Sequence, residues 1–145
     1  MKSISTPVIR PFRFTDEAAV IALRRECDLV RPQNDPQKDI ARKLKVNSEL
    51  FLVAESHGGR IVGSVMAGYE GHRGWINYLA VASSARRQGL GRLLMAAAEK
   101  GLRSAGCPKI NLQVRPDNAD VIAFYERLGF NVEGAVSMGR RLEVD

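Results

Sequence analysis

Seven residues, Arg86-Arg87-Gln88-Gly89-Leu90-Gly91-Arg92, combine three arginines with two glycines. An amphipathic run from Leu93 to Ala105 follows directly, so the glycines stand where a helix begins. A helix start leaves its first N–H groups without intrahelical partners and carries partial positive charge. Gly89 and Gly91 have no side chain to keep a ligand away from the backbone. Arg86, Arg87 and Arg92 add full charge beside those donors. The combination suits a phosphate or pyrophosphate. It does not suit every phosphate ligand. A dinucleotide fingerprint needs a third glycine near position 94, where Leu94 stands, and no Gly-Lys-Ser/Thr is present for a nucleotide P-loop.

The elements that must position this turn follow from the rest of the chain. Trp75-Ile76-Asn77-Tyr78-Leu79-Ala80-Val81 reads as the strand that leads into it, and Gly106 and Pro108 stop the helix behind it. Val8 to Phe12, with Pro11 inside, reads as a short strand near an edge. Thr15 is the expected N-cap of a first helix reaching about Asp28, with Asp16 and Glu17 in its first turn. Val20, Leu23 and Cys27 fall on one face of it. Asn34-Asp35-Pro36 opens a second helix, Asp35 as N-cap and Pro36 at the first helical position. Ile40, Leu44 and Ala41 are expected inside it, and Lys38, Arg42, Lys43 and Lys45 outside as a solvated face.

Leu50 to Ala54 is continuously apolar, as in a strand covered on both faces. His57-Gly58-Gly59 turns it back into a strand from Arg60 to Tyr69. The polar insert around Glu70, His72 and Arg73 is either a plain hairpin loop or the lining of a substrate mouth. Lys109 to Arg115 alternates as a strand does. Pro116-Asp117-Asn118 turns into a last helix with Val121, Ile122, Tyr125 and Leu128 inward. Phe130 to Glu133 and Ser137 to Leu142 are expected as two short final strands. The order is β-α-α-β-β-β-α-β-α-β-β. It gives a mixed α/β (α+β) fold, with about seven strands in one sheet and about four helices on both faces.

The 145 residues suit a single domain, 1–145, with 45% hydrophobic and 26% charged residues. The net charge of +6 invites an anionic partner or merely keeps the surface solvated. Aromatics are only 6% and sit mostly at core positions, which argues against a nucleic-acid platform. No apolar run approaches membrane-spanning length, and the N-terminus lacks a signal-peptide core. Neither nucleic acid nor membrane is therefore expected as a partner, and a cytoplasmic location is. Cys27 and Cys107 lie in separate elements and read as buried thiols.

The pattern Arg86-x-x-Gly89-x-Gly91, after a strand ending Leu79-Ala80-Val81, resembles the acetyl-CoA motif of the GNAT acetyltransferase superfamily. The run Asn118-Ala119-Asp120-Val121-Ile122-Ala123-Phe124-Tyr125-Glu126-Arg127-Leu128-Gly129-Phe130 resembles the C-terminal signature of the same superfamily. The element order agrees as well, so the resemblance covers nearly all of the chain. It is similar in particular to small bacterial members of the YpeA type, through Cys27 to Pro36, Gly68 to Gly74 and Gly106 to Ile110.

The resemblance implies a GNAT fold and an acetyl-CoA-dependent N-acetyltransferase with no metal. The acceptor would be a primary amine on a protein N-terminus, a lysine or a small molecule. Arg86, Arg87, Gln88, Gly89, Leu90, Gly91 and Arg92 would hold the pyrophosphate. The backbone of Leu79, Ala80 and Val81 would pair with the pantetheine arm as an added strand does. An N–H of that edge would stabilise the thioester oxyanion. Tyr125 would protonate the departing thiolate, and is otherwise a core aromatic. Asn118 would contact the arm, or cap its helix, or both. No strand glutamate supplies a general base: Asn77 and Tyr78 occupy that strand. Glu70 is the nearest acidic candidate, against a structural role or a water chain. Asp28 and Asp35 lie in a loop that in the superfamily often forms the acceptor wall. An acetyl-CoA-binding sensor without turnover is the alternative. Monomer and homodimer both remain open.

Overall fold

In the computed structural model, residues 6–145 are described and form two compact units, one ending at Leu112 and the other spanning Gln113–Asp145. The first contains a five-stranded sheet of β1 (Val8–Pro11), β2 (Phe51–Glu55), β3 (Ile61–Tyr69), β4 (Gly74–Val81) and β5 (Ile110–Leu112), in that spatial order. Neighbours are antiparallel except β4 and β5, which are parallel. Helices α1 (Glu17–Glu26), α2 (Pro36–Lys43) and α3 (Leu90–Ser104) complete this unit. The second unit contains α4 (Ala119–Arg127).

Alternation along β3 places helices on both faces of the sheet. At Gly63 a side chain would point into Leu94 and Leu90 of α3, whereas at Gly68 it would point at Lys43 of α2. Leu90, Leu94, Ala98 and Leu102, spaced by four, form the buried stripe of α3. A Cβ at Gly63 would lie 2.8 Å from Leu94 Cδ1, so any other residue there would make the Leu94 side chain shift. Behind the opposite face, Val20, Ile40, Phe12, Phe51 and Val53 form one cluster. The Phe12 and Phe51 rings stack there at 4.3 Å.

Several expectations need correction. Thr15 does not cap the first helix. A short 3-10 turn over Phe14–Asp16 precedes α1, and Asp16 is its N-cap residue. The Asp16 carboxylate accepts two hydrogen bonds from Arg10 and one from the Arg13 N–H, and the Arg10 guanidinium holds its pKa below the usual carboxylate range. In α2 the expected faces shift at the C-terminal end. Lys43 is buried and Leu44 exposed, because the helix ends at Lys43 and its ammonium reaches across to donate to the Ala67 carbonyl.

The sheet has five strands rather than about seven, and β5 is three residues long. Residues 130–142 contain no helix or ladder. The runs Phe130–Glu133 and Ser137–Leu142 are short, Gly134 and Gly139 lie beside or within them, and a two-stranded ribbon without a buried face is marginal in water.

Candidate functional site

The basic glycine turn forms as its composition requires. Gly89 takes φ +75° and is the N-cap residue of α3, and Arg87 takes φ +65°. Left-handed residues in a turn, here Arg87 and Gly89 on either side of Gln88, tip backbone N–H groups to one side, which can make an anion-binding concavity. No side chain caps the helix start, and the first backbone bond of the turn runs from the Leu93 N–H to the Gly89 carbonyl, 3.1 Å. The N–H groups of Leu90, Gly91 and Arg92 therefore begin the helix without intrahelical partners. Nothing lies within 4 Å of where a Gly89 Cβ would sit. Arg86, Arg87, Gln88, Gly89 and Arg92 are all exposed.

Arg86 does something the sequence does not indicate. Its Nε donates to the Val81 carbonyl at 3.2 Å, and its Nη2 lies 3.6 Å from Cys27 Sγ. The Cys27 thiol donates to the same carbonyl at 3.4 Å. Arg86 thus ties the end of β4 to the end of α1, while Arg87 and Arg92 stay at the mouth of the turn. Cys27 is half-buried rather than fully buried, as is Cys107.

The strand leading into the turn is irregular near its C-terminal end. Ala80 pairs with Ser64 and Asn77 with Met66, so Tyr78 and Leu79 stand opposite Val65 alone. This is a β-bulge, and it leaves backbone groups off the ladder. Tyr78 takes φ +53° there, a left-handed conformation that costs a non-glycine residue about 1–3 kcal/mol. On the other side, the ladder with β5 runs only from Gly74↔Ile110 to Ile76↔Leu112. From Asn77 to Val81, β4 pairs with no fifth strand among the described residues.

Two buried cations near the bulge escape sequence reasoning. Arg24 on α1 is 1% exposed. Its guanidinium carbon lies 4.3 Å from the Tyr78 ring centroid and 5.5 Å from that of Phe51. Burial lowers its pKa, opposed by Tyr78 and Asp39. The Tyr78 hydroxyl donates to Asp39 Oδ2 at 2.8 Å. Lys43, described above, likewise has a pKa lowered by burial. No spacing marks either residue: Arg24 has Arg25 beside it and Lys43 sits in a basic run, and only tertiary packing separates the buried member from its exposed neighbours.

The remaining candidates sit as follows. Glu70 is exposed, and its Oε1 accepts the N–H groups of His72, at 2.8 Å, and of Arg73. Those bonds lower its pKa. It fastens the β3–β4 turn. Asp35 caps α2, accepting from the N–H groups of Gln37 and Lys38 at 2.9 and 3.2 Å. Asp28 is exposed at φ +58°, paired with Arg31 at 3.2 Å. In the second unit Asn118 caps α4 by accepting from the Val121 N–H at 3.4 Å. Tyr125 is buried, edge-on to Phe124 and Phe130, and burial pushes its phenol up to about 12. No group of three metal-ligating side chains occurs among the described residues. No helix among them is long and apolar enough to cross a membrane.

Comparison with known proteins places this geometry. The family model for the acetyltransferase (GNAT) family matches residues 18–130. An acetyltransferase of Yersinia enterocolitica is 50% identical over 94% of this chain and 96% of its own. The ribosomal-protein-S18-alanine N-acetyltransferase of Escherichia coli is 25% identical with a TM-score of 0.70, over 86% of this chain and 77% of its own. AAC(6')-Iy, solved with a bisubstrate analogue joining CoA to monomethyl-acetylneamine, shares the fold at a TM-score of 0.78 and 20% identity, over 94% of this chain and 99% of its own. A mixed sheet with a bulged fourth strand, feeding a glycine turn at a helix start, thus comes with sequence identity across nearly the whole chain: the protein is an acyltransferase and belongs to the acetyltransferase (GNAT) family.

Proposed function

We propose that the chain, as one domain over residues 1–145, transfers an acetyl group from acetyl-CoA to a primary amine by direct attack. The observation that carries this reading is the uncapped start of α3, with left-handed Arg87 and Gly89 and exposed arginines, directly after a strand that leaves its β5 ladder at Ile76. The N–H groups of Gln88, Gly89, Leu90, Gly91 and Arg92 receive the pyrophosphate, with Arg87 and Arg92 supplying long-range charge. Arg86 acts beside them as a staple on β4. The freed edge at Leu79, Ala80 and Val81 pairs with the amides of the pantetheine arm. A bulge N–H polarises the thioester carbonyl.

The amine attacks in its neutral form, and the acetyl carbon passes from sulfur to nitrogen. The departing thiolate needs a proton. Tyr125 is assigned as the donor: with its phenol pushed to about 12 it stays protonated at every working pH. Asn118 caps the helix that carries it and contacts the arm. Glu70 is assigned a structural role, since its carboxylate already serves the turn, and a water takes the amine proton. The acceptor class follows the Escherichia coli neighbour, which is named as a ribosomal-protein-S18-alanine N-acetyltransferase.

A thermal-shift series with acetyl-CoA, CoA, ATP and NAD tests the donor site. A selective ligand stabilises the fold by about 2.7 kcal/mol at a hundredfold excess over its Kd. A rise with acetyl-CoA and CoA alone is expected; no rise with either sinks the assignment. Tyr125→Phe should then lower kcat by about a hundredfold at unchanged CoA affinity. Unchanged turnover would remove Tyr125 from the mechanism.

A further inference from the structure

The β4 bulge raises a question that its backbone alone does not answer: what holds Tyr78 in the left-handed region, where glycine is the ordinary occupant. Two contacts do so from opposite directions. The hydroxyl is fixed to Asp39 Oδ2 on α2 at 2.8 Å. The ring is covered by the Arg24 guanidinium from α1 at 4.3 Å. Arg24 also reaches the other side of the bulge, where its Nη2 lies 2.9 Å from Met66 Sδ, and Met66 is the residue paired with Asn77 where the register slips. One buried cation therefore grips both strands at the irregularity.

A buried guanidinium is a poor device for stability. Its desolvation is large, and an apolar side chain of similar volume fills such a site as well or better. Arg24 Nε is moreover buried with no hydrogen-bond partner among the described residues. What the guanidinium adds over a methionine is direction: a planar cation seeks the face of a ring, and it fixes where that ring lies. The hydroxyl bond to Asp39 fixes the remaining freedom of the ring.

We infer that Arg24 and Asp39 are positioning residues for acetyl transfer. Acting through Tyr78, they hold the β4 bulge so that its backbone N–H points at the thioester carbonyl. This rests on the donor site proposed above. It adds two residues, on α1 and α2, that touch neither the donor nor the reacting atoms. A small cavity lined by Arg24, Leu29, Val30, Asn34, Pro36, Asp39 and Tyr78 lies beside them, with room on the order of one water. Little free space therefore adjoins the clamp.

The test reads polarisation of the carbonyl directly. Acetyl-CoA labelled with carbon-13 at the carbonyl is bound to the full chain without acceptor, and its stretching band is followed by isotope-edited infrared difference spectroscopy. Binding should lower the band frequency in the unaltered protein. Tyr78→Phe and Asp39→Ala should lose most of that shift while Kd for acetyl-CoA stays within about twofold. Asp39→Asn should restore it, since an amide oxygen still accepts from the Tyr78 hydroxyl. Arg24→Met, chosen to keep the volume, should lose it without unfolding. A shift undiminished in both Tyr78→Phe and Asp39→Ala overturns the inference. An unaltered protein that fails to bind acetyl-CoA overturns the donor-site reading instead, so the two failures are told apart by the binding measurement alone.

Discussion

The turn at the head of α3 and the cluster around Tyr78 are built on opposite principles. The turn consists of residues contiguous in sequence and mostly exposed, and its chemistry is carried by backbone N–H groups. The cluster joins residues 24, 39, 66 and 78 from four elements, and its chemistry is carried by the side chains packed around a buried Arg24. The first is open to a ligand and is specified locally. The second is half-buried between elements and depends on each partner. Binding and geometry are thus separately adjustable. A charged ligand can be gripped by a local motif, whereas the alignment of a reacting bond needs a rigid, non-local support.

That contrast can be broken by experiment. The largest effect is expected at Arg24→Ala, which empties a site 1% exposed: about 3 kcal/mol of stability lost in denaturant unfolding, with CoA affinity within about twofold. Next comes the pH dependence of Tyr125, whose burial raises its pKa from 10 to about 12. The neutral phenol is favoured in the folded state, so its contribution is complete below pH 10 and is lost as pH rises through about 12, by up to about 3 kcal/mol. Tyr125→Phe should remove that alkaline step from the unfolding curve. Gly89→Val should show the reverse of Arg24→Ala: about 1–2 kcal/mol of stability lost from the left-handed position, but at least a tenfold loss of CoA affinity by calorimetric titration. If Gly89→Val and Arg24→Ala shift stability and affinity in the same proportion, the division between binding and alignment is wrong. The smallest effect is Asp35→Ala, which removes the α2 cap for about 1 kcal/mol and should leave CoA affinity alone.

The same contrast sets what the sequence discloses. The turn is legible because its parts are adjacent: strand, basic residues, two glycines and an apolar stripe specify a helix start without any knowledge of tertiary contacts. Asp35-Pro36 is legible for the same reason, and the structure places the cap there. The bulge is not, since Asn77-Tyr78-Leu79 carries no glycine to mark a left-handed residue and the strain is offset by Arg24 and Asp39 from distant elements. Lys43 misleads because helical spacing gives Leu44 a better claim to the inside, and only the end of α2 and the Ala67 carbonyl reverse it. Thr15 fails as a cap because Asp16 is drawn into place by Arg10, whose position is set by β1. The final strands fail because pairing is a property of two segments, and alternation describes only one.

The close approach at Gly63 has a consequence for how such a protein can change over generations. The same first turn of α3 that supplies Leu90 against Gly63 also carries the N–H groups at Leu90, Gly91 and Arg92. The seat of the helix and the mouth of the turn are one piece, and a methyl group added at Gly63 would press on the Leu94 and Leu90 side chains that seat it. Position 63 therefore bears on the turn even though it is a packing position on β3. Drift at position 63 would thus be felt at the turn through packing, whereas drift at Arg87 or Arg92 would be felt there through charge.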